Sequence, residues 1–237
     1  MKIMSLVVAA VLIVAGSIPT PAASYTVPLP WSLTLLANSL DAGAGATLNR
    51  ADQVIPYVDG DNIQLWTGAS WQVWTMDSIS STGWIDPAGN DAPLTSLPIL
   101  GPGRAFFYGK NSTTASITFT GAVRPTSPIN VPVPVGFTAL GSPHARGNTV
   151  GPNSSSVVST ESFDSGLVFS GPIALPIRDG DFILKWNGVR FNLFTRDSIS
   201  ATGWTDMLGA DCPEPTLFMG EGFFYGNNLG IFFWSQP

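Results

Sequence analysis

One cysteine, one histidine and three glutamates are spread over 237 residues, and charged side chains make up only 11% of the chain. A soluble domain usually carries roughly twice that share. Each scarcity excludes something. A lone cysteine, Cys212, forms no disulfide within the chain, and its neighbours Asp211 and Pro213 supply no cation to activate a thiolate. A lone histidine, His144, sits in the Pro-flanked stretch Ser142-Pro143-His144-Ala145, far in sequence from Cys212. Nucleophilic triads need a histidine beside the nucleophile, and no G-x-S-x-G, H-E-x-x-H or P-loop motif is present. Zinc would need two further ligands from carboxylates, an uncommon set. Two carboxylates suffice for glycoside hydrolysis, but Glu161, Glu214 and Glu221 all fall in the second half. No catalytic residue and no enzymatic activity are therefore expected. A net charge of −6 offers no electrostatic footprint for nucleic acid, and so few charges do not make a coiled coil.

Long apolar runs are also missing, with one exception. Met1-Lys2, the apolar stretch Ile3 to Ala15 and the small, Pro-broken stretch Gly16 to Ser24 have the layout of a secretory signal peptide. Ala22-Ala23-Ser24 suits cleavage, so the signal is expected over 1–24, with the mature chain starting at Tyr25. The run is shorter than the about 20 residues of a membrane span, and every later apolar stretch is interrupted by Pro, Gly or a charge. The expected location is extracellular or at the cell surface, with no membrane span in the mature chain.

What the sequence has in quantity is Gly (25), Pro (20), Phe (14) and Trp (8), and these are arranged twice. Residues 55–86 align without a gap to residues 175–206, and 16 of the 32 positions are identical. Gly103-Arg104-Ala105-Phe106-Phe107-Tyr108-Gly109 then matches Gly220-Glu221-Gly222-Phe223-Phe224-Tyr225-Gly226, and Pro30-Trp31-Ser32-Leu33 matches Pro134-Val135-Gly136-Phe137 more weakly. We read an internal duplication: β module 1 over 25–124, a Pro-rich linker over 125–134 and β module 2 over 135–237. Short aromatic and aliphatic runs separated by Thr67-Gly68-Ala69-Ser70 or by Asn187-Gly188 predict hairpins. No stretch sustains helical spacing. The fold class expected is all-β, two homologous antiparallel modules of β-sandwich or barrel-like form.

Trp31-Ser32-Leu33, Trp186-Asn187-Gly188-Val189-Arg190-Phe191 and Gly220-Glu221-Gly222-Phe223-Phe224 form a recurring set. It resembles uncharacterised β-repeat modules of secreted bacterial proteins, where the motifs read GWNL, KWNGxxF and PGEGFFF. The resemblance implies an exported, non-catalytic module and brings no ligand with it. The first copy departs from the pattern, with Arg104-Ala105 where the second has Glu221-Gly222.

Two sets of candidate site residues remain. Asp59, Asp61, Asp77 and Asp86 recur as Asp179, Asp181, Asp197 and Asp206. The favoured reading is turn chemistry, each carboxylate accepting from nearby backbone N–H groups. The alternative is a Ca²⁺ site in each module, since hard cations gather several oxygens, although the EF-hand pattern is absent. The aromatics are the second set. Alternation puts Trp71 and Val73 on one strand face and Gln72 and Trp74 on the other, with Phe194 matching Trp74. Trp74 and Phe194 are the candidates for stacking on a sugar ring. The expected role is an exported structural or interaction protein of an envelope, matrix or surface assembly, partnered by itself or an envelope component. Carbohydrate binding is the alternative.

Overall fold

The computed structural model describes residues 23–41, 49–122, 129–141, 160–162, 175–218, 220–228 and 230–236. The signal-peptide reading falls outside these residues except at its last two positions, and His144 falls outside them altogether.

The chain is all-β. In the first half, β1 (Ala23–Pro28) pairs antiparallel with β7 (Ser116–Gly121) as a two-stranded ribbon. Between them β2 (Leu33–Ala37), β3 (Asn62–Trp66), β4 (Trp71–Met76), β5 (Trp84–Ile85) and β6 (Ala105–Gly109) form an antiparallel sheet in the order β2-β6-β3-β4-β5. One four-residue helix, α1 (Ala51–Val54), lies between β2 and β3.

The second half repeats the plan. Strands β8 (Ile129–Val133) and β16 (Phe232–Gln236) make the ribbon. Strands β9 (Gly136–Gly141), β11 (Phe182–Trp186), β12 (Phe191–Arg196), β13 (Trp204–Asp206) and β15 (Gly222–Asn227) make the sheet, ordered β9-β15-β11-β12-β13. Strands β10 (Thr160–Ser162) and β14 (Thr216–Phe218) form a separate short antiparallel pair. Register is shared as well: Asn62 faces Thr75 and Trp66 faces Trp71, just as Phe182 faces Thr195 and Trp186 faces Phe191.

Period-two alternation sorts the side chains into three cores. Ile63, Leu65, Trp74, Met76 and Phe106 pack under Tyr25, Ile117 and Phe119 of the first ribbon. Ile183, Phe223 and Tyr225 pack under Val133 and Trp234 of the second. The opposite sheet faces meet each other through Leu35, Ala37, Phe107, Ala139 and Phe224. The layers therefore run ribbon, sheet, sheet, ribbon, and each half is an open sandwich rather than a closed barrel.

Two details differ from the sequence reading. Residues 129–133, assigned to the linker, are strand β8; Pro132 is tolerated because a two-stranded ribbon is all edge. The loop joining β11 to β12 is Gly188-Val189, closed by Asn187 N–H donating to the Arg190 carbonyl at 3.1 Å. Gly188 has φ +95° in the first central position, and Asn187 instead accepts from Val189 and Arg190 through its side chain. Asp77-Ser78-Ile79-Ser80 makes a turn, as does Asp197-Ser198-Ile199-Ser200.

Candidate functional site

The repeated carboxylates all meet backbone or hydroxyl donors. Asp59 accepts from Ser78 N–H at 2.5 Å and Asp179 from Ser198 N–H at 2.5 Å. Asp77 and Asp197 each accept from the N–H two residues on, at 2.8 Å. Asp86 takes Ala88 and Asn90 N–H at 2.9 Å, and Asp206 takes Leu208 and Ala210 at 2.8 and 3.0 Å. The contacts of Asp77, Asp86, Asp197 and Asp206 are Asx-type turns, which free the chain to reverse without unsatisfied amides. Asp59 and Asp179 instead tie a turn to the neighbouring one across a hairpin.

Asp61 and Asp181 are different, because both are fully buried. Tyr108 donates its hydroxyl to Asp61 at 2.6 Å, and Asn111 N–H, Ser112 N–H and the Ser112 hydroxyl complete the shell. Asp181 takes the Tyr225 hydroxyl, Arg178 N–H and Asn228 N–H. A buried carboxylate is tolerated only with such a shell. Burial first, then the hydrogen bond to the carboxylate, pushes the Tyr108 and Tyr225 phenols well above the usual tyrosine range.

The ungapped alignment also carries on to a fifth pair that the sequence reading missed. Asp91 accepts from the Ser81 hydroxyl and Asp211 from the Ser200 hydroxyl, both at 2.6 Å. Among the described residues, no three His, Cys, Asp or Glu side chains are grouped to hold a metal ion. Cys212 is half-buried, and burial, Asp206 and Asp211 raise its thiol above the usual value.

The aromatics converge between the sheets. Trp66, Trp71 and Phe107 from the first half and Trp186, Phe191 and Phe224 from the second form one contiguous array. Its ring centroids lie 5.0–6.4 Å apart. Tilted and edge-on geometry suits ring quadrupoles and adds to area burial. The contacts are reciprocal. Trp66 Nε1–H donates to the Phe137 carbonyl at 3.0 Å, and Trp186 Nε1–H donates to the Leu33 carbonyl at 2.8 Å. Ala37 N–H reaches the Gly220 carbonyl and Gly141 N–H the Gly103 carbonyl. Each half thus covers part of the open edge strand of the other, β2 or β9, which limits pairing with a foreign strand.

The two proposed sugar-stacking residues lie elsewhere. Trp74 is 7% exposed, opposite Ile63 in the first core, and Phe194 packs half-buried against the second core opposite Ile183. The exposed ring of that hairpin is Trp71, at 40%. Alternation identified the two faces, but it does not say which one meets the ribbon; that choice depends on Ile63 and Leu65 taking the core side of β3.

No family model, no curated protein and no solved structure matches the chain.

Proposed function

We propose that this chain is an exported, non-catalytic interaction protein that works at a cell surface or in an envelope or matrix assembly, the role its β-repeat resemblance implies. The observation that supports this reading is a pair of isoleucines. Ile79 and Ile199 occupy the same turn in the two halves, and each is 92% exposed. Both turns are pinned by paired aspartates, Asp59 with Asp77 and Asp179 with Asp197. A rigid turn that presents an unburied apolar side chain twice suits a contact made with another molecule better than a contact within the fold. The partner favoured is a second copy of the chain or an envelope protein.

Light scattering coupled to size exclusion tests it. The wild type is expected to assemble as its concentration rises, and Ile79→Ser/Ile199→Ser is expected to stay monomeric with an unchanged melting temperature. A wild type that neither assembles nor is retained by envelope fractions would overturn the reading. Retention of the full-length chain in the cytoplasm on expression would overturn the export part.

Carbohydrate binding is the second reading. It is supported at Trp71, whose ring is half-exposed on a sheet face, rather than at Trp74 or Phe194.

A further inference from the structure

We propose that the inter-sheet face of β3 and β4 in the first half is a binding surface for a neutral polysaccharide chain, with Trp71 as stacking platform and Asn62 and Gln64 as hydroxyl-recognising amides. The proposal rests on the carbohydrate-binding reading and gives it a location, a chemistry and a restriction to one half.

The surface is built from cross-strand pairs on one face: Asn62 with Thr75, Gln64 with Val73, and Trp66 with Trp71. Trp71 is 40% and Val73 36% exposed, while Asn62, Gln64 and Thr75 are half-buried. The Trp71 ring is held by Trp66, Phe107 and Phe224, so the platform is fixed before any ligand arrives. Beside it, Gln64 Nε2 donates to Asn62 Oδ1 at 3.0 Å. This leaves the Gln64 carbonyl oxygen and the remaining amide hydrogens to pair with hydroxyls.

The comparison between halves makes this more than an uncovered sheet. The equivalent positions of β11 and β12 carry Phe182, Leu184, Phe191 and Leu193 where β3 and β4 carry Asn62, Gln64, Trp71 and Val73. Phe182 lies over Gly226, and a Cβ there would meet its ring at 2.1 Å; it also packs on Phe137 at 5.3 Å. Asn62 lies over Gly109 in the same way, at 2.5 Å. The fold therefore accepts an apolar side chain at this site, and the amide in the first half is not a requirement of packing. Polar side chains on a sheet face beside a half-exposed indole match the two surfaces of a sugar ring, apolar C–H groups and a hydroxyl rim. None of these residues is ionisable, so charge complementarity favours an uncharged polymer over an acidic one.

Affinity electrophoresis of the full chain through gels containing hydroxyethylcellulose, laminarin or dextran, with alginate as the anionic comparison, tests the proposal. The wild type should be retarded by at least one neutral polymer and not by alginate. Trp71→Ala should weaken retardation about tenfold or more, as loss of a central aromatic anchor does. Asn62→Phe/Gln64→Leu places the residues of the second half on the first. It should keep the melting temperature and lose retardation to a similar degree. If no neutral polymer retards the wild type, the carbohydrate reading and the proposal fall together. If the wild type is retarded and Asn62→Phe/Gln64→Leu binds equally well, the reading stands and this face is not its site. Stronger retardation by alginate than by the neutral polymers overturns the assigned chemistry.

Discussion

Gly141 lies so close to Ala37 that a Cβ built on it would stand 1.9 Å from the Ala37 methyl. The two occupy equivalent places, at the ends of edge strands β9 and β2, and meet where the reciprocal contacts between the sheets converge. The same relation recurs between Ala105 and Gly222, where an added Cβ would stand 2.7 Å from the Ala105 methyl. In each pair the first half carries alanine and the second glycine. Two alanines would collide, so the asymmetry favours pairing of unlike halves over pairing of two first halves. It also accounts for Ala105 standing where the second half has Gly222.

Gly141→Ala should therefore lower stability by about 1–3 kcal/mol through overpacking, whereas Ala37→Gly should cost roughly 0.5–1 kcal/mol. The exchange Ala37→Gly/Gly141→Ala should recover most of the Gly141→Ala loss, because neighbouring sites couple. Urea denaturation of the three variants reads this out. A double variant no more stable than Gly141→Ala alone would remove the steric explanation.

Much of the architecture could be read from the residues, and the reasons differ by element. Asp77 and Asp197 act within two residues of themselves and Asp59 and Asp179 across one hairpin, so their turn chemistry was visible locally. The buried Asp61 and Asp181, by contrast, draw on the distant Tyr108 and Tyr225. Alternation in Trp71 to Met76 separated two faces correctly, because a strand has no third option. The choice of inner face, by contrast, depends on contacts between Trp74 and residues brought by the distant ribbon. Likewise β8 was hidden in the Pro-rich stretch because its strand character comes from β16, about a hundred residues later. The inter-sheet aromatic array draws on both halves, and no local pattern announces such a meeting.

Thr34 and Thr138 occupy equivalent positions in β2 and β9, and the hydroxyl of each is buried without a hydrogen-bond partner. A buried donor left unmade costs about 1–3 kcal/mol. Replacing it with an apolar group of the same shape should remove that cost. Thr34→Val and Thr138→Val are each expected to raise the melting temperature, and the pair should be nearly additive because the sites lie in different sheets. A fall in melting temperature on both substitutions would mean that the hydroxyls are satisfied in solution.

Lys185 stands where the first half has the buried Leu65, and its ammonium meets Glu221 at 3.0 Å with side chains 15% and 22% exposed. Glu221 in turn replaces Arg104. The second half thus carries an ion pair where the first carries Leu65 and Arg104. Glu221→Gln should cost about 1–3 kcal/mol by leaving a partly buried cation with a weaker partner. Adding Lys185→Leu should return most of it, measured by thermal unfolding in low salt. If Glu221→Gln proves neutral, the ion pair does not hold this corner.

Stability should fall on both sides of neutrality. In acid, the Arg50 guanidinium hydrogen-bonded to Asp52, the Ser78 amide on Asp59 and the Ser81 hydroxyl on Asp91 hold these carboxyls below the usual aspartate range. A folded-state value below the unfolded one means that the unfolded chain takes up protons first as the pH drops. Their contribution is thus complete above about pH 4, the unfolded aspartate value, and lost as the pH falls through the folded values. In alkali the sign reverses. Burial raises the Tyr25, Tyr108 and Tyr225 phenols, so the stability they confer is complete below about pH 10 and is lost as the pH rises toward the folded values. Melting temperature against pH should show a plateau between these limits. Ser81→Ala should flatten the acid limb, because it removes the donor that favours ionised Asp91, and Tyr108→Phe should flatten the alkaline one. An acid limb unchanged by Ser81→Ala would assign it to other carboxylates.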